Sequence, residues 1–222
     1  MAVFYTSNAI RDSITLNLDA GTTDSYPGSG TTWFDLSRSG NNGTLTNGPT
    51  FSEGGISFDG SNDFCAISNI TLGNGNVPWT ISSWVKTTTS VNSLGYGSVI
   101  SNASGGPVYS MLGINAGKIV YWTYQGGWSQ KLGVGTTVND GNWHMLTWVN
   151  NSNSTMAMYV DGALDSNVAN SSSGNNNPVD RVGGSWAASF DGRIGTLKLY
   201  TQALSATVIS REYATTRGRF NR

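Results

Sequence analysis

The chain has 222 residues, a formal net charge of −1 and only 11% charged residues, so it has no basic field suited to nucleic acid or an anionic membrane. One cysteine and one histidine exclude an internal disulfide and, in practice, a structural zinc site. With 29 glycines the chain is rich in turns, which suits many short strands, and no apolar run approaches the ~18 residues of a membrane span.

Residues 1–12 lack a basic region followed by an apolar run, so no signal peptide is expected, and they read as a short, mobile N-terminal arm. Ser13–Asp19 alternates Ile14, Leu16 and Leu18 with polar residues and reads as the first strand. Residues 24–30 and 37–43 are loops of turn formers. Thr44–Thr46 and Pro49–Phe51 read as short edge pieces, since Pro49 cannot donate to a central ladder. Gly55–Gly60 and Phe64–Ile67 flank Gly60–Asn62, which reads as a hairpin turn. Cys65, within the second run, reads as a small buried apolar residue. Strands are expected at Trp79–Lys86, Ser98–Ser101, Tyr109–Ile114 and Lys118–Tyr124, with Asn115–Gly117 as the hairpin turn between the last two.

The organising stretch is Asn139–Leu164. Its first run sets His144, Leu146 and Trp148 on one face and Trp143, Met145, Thr147 and Val149 on the other. A strand apolar on both faces must be covered on both. Its second run sets Met156, Met158 and Val160 against Ala157, Tyr159 and Asp161, and Asp161–Gly162 is a tight-turn pair. That hairpin belongs in the middle of a two-sheet sandwich. Residues 171–177 are of low complexity and read as a loop tip, and Asp191–Tyr200 reads as the last strand. The one helix expected follows Ser205 as N-cap, and the basic tail carries Arg217, Arg219 and Arg222, read as a solvated end rather than a docking arm.

The chemistry-bearing candidates are few. His144 lies mid-strand, where a packed, hydrogen-bonded role outweighs a catalytic one. Asp59, Asp63, Asp140 and Asn142 are rich enough in oxygen to be calcium candidates, but Asp-Gly and Asn-Asp pairs also simply make turns, the reading favoured here. No other cofactor is expected. Trp122, Tyr124, Trp128 and Trp186 offer rings in or beside Gly-rich loops. Trp122 and Tyr124 share a strand face, which is a ligand platform if open and core if covered.

Five runs in order carry a resemblance: Tyr26–Trp33 (YPGSGTTW), Gly40–Phe51 (GNNGTLTNGPTF), Ile56–Asp63 (ISFDGSND), Asp140–His144 (DGNWH) with Tyr159–Gly162 (YVDG), and Gly192–Ser205 (GRIGTLKLYTQALS). Together they resemble the concanavalin A-like lectin/glucanase superfamily in its laminin G-like branch, over nearly the whole chain. The start at Tyr26, the run from Asn41 and the RGRF end at Arg217–Phe220 resemble structural proteins of tailed phages. The resemblance implies one all-β domain over residues 1–222, a jelly-roll-like sandwich of two antiparallel sheets with one short C-terminal helix (residues 205–222 forming helix and tail). It departs from the pattern at Val208, where relatives place the acidic partner of a capping box, and at Arg38 and Ser39 before Gly40.

Glucanase members of the superfamily use clustered strand carboxylates, which a retaining enzyme sets ~5 Å apart. Here the only glutamates are Glu53 and Glu212, one in a turn and one in the terminal helix, so no enzyme is expected. The resemblance implies a virion structural protein, for capsid decoration or as a tail or fibre component. It would be present in many copies, bind other virion proteins and be made in the host cytoplasm. The alternative is a lectin-like module that recognises host surface glycans.

Overall fold

The computed structural model describes residues 5–73, 76–89, 97–102, 109–124, 128–151, 155–169, 178–185 and 189–222. In chain order it holds helix α1 (Tyr5–Asp12) and strands β1 (Ile14–Asp19), β2 (Thr32–Trp33), β3 (Gly43–Thr46), β4 (Thr50–Ser52), β5 (Gly55–Asp59), β6 (Phe64–Thr71), β7 (Trp79–Lys86) and β8 (Gly97–Ser101). Then come β9 (Tyr109–Asn115), β10 (Lys118–Tyr124), β11 (Trp128–Leu132), β12 (Trp143–Asn151), β13 (Thr155–Val160), β14 (Ala163–Ala169), β15 (Pro178–Val182) and β16 (Asp191–Tyr200). Helix α2 (Ala206–Thr216) and a 3-10 turn (Arg217–Phe220) close the chain.

Among the described residues the strands form two antiparallel sheets of eight. Sheet A runs β14-β13-β12-β7-β16-β5-β4, with β1 also on β16, and sheet B runs β11-β10-β9-β8-β15-β6-β3-β2. In sheet A, β1 pairs with the C-terminal half of β16 and β5 with its N-terminal half, while β7 runs along the other side. This is the sandwich the sequence implies.

The alternation in the organising stretch explains the layering. Leu146, Trp148, Met156, Met158 and Val160 face the core between the sheets, with Leu16, Leu18, Ile81, Ile119 and Tyr121. Their neighbours Trp143, Met145, Val149, Ala157 and Tyr159 join a second cluster on the outer face of sheet A, with Trp84, Tyr200, Ile209 and Phe220. That face is covered by α2 and the 3-10 turn, and Ile10 of α1 packs against it. Two-residue turns with positive φ make the hairpins at Ala116–Gly117 and Asp161–Gly162.

Four expectations need correction. Gly60–Asn62 joins no hairpin: β5 pairs with β4 and β16 in sheet A, whereas β6 pairs with β3 and β15 in sheet B, so the turn is a corner between sheets. Thr44–Thr46 is interior, because β3 lies between β2 and β6. The arm is partly helical, over Tyr5–Asp12. The basic tail is docked, as described below. The expected cap is present: Ser205 Oγ accepts from the Val208 N–H at 3.4 Å, and the first turn holds no acidic residue. Cys65 is fully buried, and burial pushes its thiol up to about 12.

Candidate functional site

A surface cleft of about 480 Å³ opens at one end of sheet A. Four segments build it. The β4–β5 turn brings Glu53, the last residue of β7 brings Lys86, and the Gly141–Trp143 turn meets the C-terminal residues Arg219–Arg222. A smaller recess of about 170 Å³, lined by Arg193 and Asp191, shares Lys86 and Gly141 with it.

The far wall is held by the tail. Phe220 stacks on Trp84 (ring centroids 4.4 Å apart, planes 15° apart) and leans on Trp143 at 4.9 Å. Arg219 donates from both Nη atoms to Asp19, at 2.8 and 2.6 Å, a bidentate pair across 200 residues of sequence. Side-chain bonding to Asp19 is the main cause of the raised Arg219 pKa. Arg222 donates to Asp161 Oδ2 at 3.0 Å. The tail expected in solvent is therefore pinned at three points.

Behind that wall lies His144, 2% exposed. Its Nδ1 faces Asp161 Oδ2 at 2.9 Å and its Nε2 faces Asp140 Oδ1 at 3.1 Å. Arg222 Nη2 is 3.0 Å from Nδ1 and 3.3 Å from Nε2. A point so near both nitrogens must lie over the ring face, because an in-plane approach would collide with the carbon between them. A doubly protonated imidazole satisfies both carboxylates, whereas a neutral one satisfies only one. Each ring nitrogen is thus turned to a carboxylate rather than to a serine or threonine hydroxyl.

The carboxylates are committed in the same way. Burial works to raise the Asp161 pKa, but His144, the Met145 N–H at 2.9 Å and Arg222 together lower it. Burial also opposes the Asp140 shift, yet the Asn142 side chain and backbone, with His144, bring it down to about 2. Asp59 Oδ1 accepts the N–H groups of Ser61 and Asn62, and Asp63 Oδ2 accepts the Asp59 N–H at 3.2 Å. Burial raises Asp63, aided by the neighbouring Asp59 charge. Asp165 gathers the N–H groups of Val134, Gly135 and Thr136. Glu53 bonds Lys86 at 2.8 Å and Glu212 bonds Lys198 at 2.8 Å. The four calcium candidates thus fall into two separate turn pairs, Asp59 with Asp63 and Asp140 with Asn142, whose oxygens point at N–H donors. No group of three or more His, Cys, Asp or Glu suited to a metal occurs among the described residues.

Of the ring candidates, Trp122 is half-buried on β10, between buried Tyr121 and Thr123. Tyr124 pairs with Trp128 across β10 and β11, and with Tyr109 on β9, so the register sets three aromatic residues in one cross-strand row. The side chains of Tyr124 and Trp128 lie outside the described set, as does Trp186 entirely. Sequence reasoning missed the cleft because its walls come from four segments spread between Glu53 and Arg222.

A sequence model described as the concanavalin A-like lectin/glucanases superfamily matches residues 59–210. Similar solved structures include the binding domain of Paraclostridial Mosquitocidal Protein 1, with TM-score 0.69, 14% identity, and 92% of this chain covering 52% of that one. The binding domain of botulinum neurotoxin serotype D matches with TM-score 0.69 and 15% identity, over 94% of this chain and 53% of that one. A structure of botulinum neurotoxin type C, whose cell entry depends on interaction with two ganglioside molecules, matches with TM-score 0.69 and 13% identity, over 95% and 52%. The chain spans about half the length of these structures, and at such identities the likeness is one of fold. No curated protein matches.

Proposed function

Because the chain belongs to the concanavalin A-like lectin/glucanases superfamily, we propose that residues 1–222 form one non-catalytic binding module that works by surface contact. The observation that carries this reading is the use made of the carboxylates. Both glutamates are tied to lysines on different parts of the sandwich, and Asp59, Asp63, Asp140, Asp161 and Asp165 hold turns and strand ends. A glycosidase needs two carboxyls facing one bond across a groove. The shared fold with toxin binding domains agrees with a module that attaches.

The finer reading is a virion component of a tailed phage, in a capsid decoration layer or in a tail or fibre. It is supported by the YPGSG, NNGTLTNGPT and RGRF runs and by a low-charge surface suited to packing against neighbouring subunits. Mass spectrometry of purified virions tests it: a stoichiometric band is expected, and absence from the particle overturns it. The second reading, a glycan-binding module, is favoured by the aromatic row on β9–β11. A glycan array tests this reading. Binding that disappears in Trp122→Ala, two residues from the row on the same strand, supports it, and binding indifferent to both Trp122→Ala and Tyr124→Ala removes this face from the site.

A further inference from the structure

The register of sheet A places Lys86 directly opposite Arg193, on adjacent strands β7 and β16. Like charges in that position repel. A single carboxylate relieves them: Glu53 Oε2 lies 2.8 Å from Lys86 Nζ and its Oε1 lies 3.5 Å from Arg193 Nη2. Glu53 comes from the tip of the β4–β5 hairpin, at the edge of the sheet, where it has φ 51° and is followed by Gly54 at φ 76°. Its side chain is 55% exposed, against 27% for Lys86 and 28% for Arg193. The cations are thus held by their strands, while their counter-ion sits on an exposed turn. Arg193 is aimed further by its Nε, which donates to Ser52 Oγ at 2.8 Å. Lys86 lines both the open cleft and the adjoining recess that holds Arg193, and around them Asn142, Asn221 and Gly141 line the cleft beside the rings of Trp143 and Phe220.

We propose that this cleft binds the carboxylate of an acidic sugar residue, with Glu53 as an internal placeholder that the ligand's carboxylate displaces. The cation pair recognises the carboxylate, and the Asn221 amide at the cleft receives hydroxyls around it. This rests on the binding-module reading and names a second face for it, distant in sequence from the aromatic row.

The test is titration of the full chain with trigalacturonic acid, followed by isothermal calorimetry, with maltotriose as the neutral probe. Trigalacturonate is expected to bind, more weakly as salt is added. Glu53→Gln is expected to tighten it about fivefold, the worth of one exposed ion pair. Lys86→Gln and Arg193→Gln are expected to weaken it about tenfold, with unchanged far-UV circular dichroism showing that the sandwich is intact. Maltotriose should not respond to Glu53. No binding of trigalacturonate to either the native chain or Glu53→Gln overturns the proposal, as does unaltered affinity in Glu53→Gln. A triglutamate peptide that binds as tightly as trigalacturonate also overturns the sugar assignment. Array binding that depends on Trp122 would survive any of these failures, so the module reading is judged separately.

Discussion

Phe220 is the single side chain whose removal should be felt most widely. Its ring fills the gap between Trp84 and Trp143 and is only 4% exposed. Phe220→Ala should cost about 3 kcal/mol or more in urea unfolding, the range for a buried aromatic truncated to a cavity. Near-UV circular dichroism should lose tryptophan signal in the same variant. Acid dependence is set nearby. The pKa values of Asp140 and Asp161 are depressed in the fold, Asp140 to about 2. A depressed carboxylate gives stability that is whole above its unfolded pKa and is lost as pH falls through the folded value. The melting temperature should therefore hold down to about pH 4, the ordinary carboxylate value, and fall from there toward pH 2. Asp161→Asn should flatten that fall, and a fall as steep as in the native chain would contradict the assignment. At this scale the sequence reveals Cys65 and the Ser205 cap, whose causes are local. It does not reveal the partners of Arg219 and Arg222, because a guanidinium reads the same whether Asp19 lies 200 residues away in sequence and beside it in space, or not beside it at all.

Elements show which patterns carry information and which do not. β12 is legible because its two-residue period puts apolar groups on both faces, and only a central strand under a second covering layer can bury both. The Gly60–Asn62 turn is misleading because a sharp turn between two strands has the same composition whether they pair or part into different sheets. Helix α1 was missed because it offers no acidic first turn and little apolar content, and is held by packing of Ile10 on the outer cluster. Two substitutions test element pairing. A Cβ at Gly113 would run into the Gly97 carbonyl oxygen of the adjacent strand, and backbone has nowhere to move. Gly113→Ala should destabilise by about 2 kcal/mol or more by splitting β8 from β9. Asp165→Ala removes the acceptor for three successive N–H groups, so amide exchange at Val134–Thr136 should quicken while β12 stays protected.

The molecule as a whole is a sandwich in which one sheet is covered twice, by the other sheet within and by the helices and tail without. Beside that second layer the cleft opens at one end of sheet A. The fold was legible from alternation and turn chemistry. The cleft was not, since a site assembled from four distant segments has no local sequence mark. The account depends on acidic groups serving the framework and on open surfaces doing the binding. Native mass spectrometry of the chain incubated with neutral and acidic oligosaccharides tests this most directly. The account predicts complexes in which the sugar keeps its full mass after prolonged incubation; release of shortened sugars, abolished by replacing one of the aspartates, would contradict it.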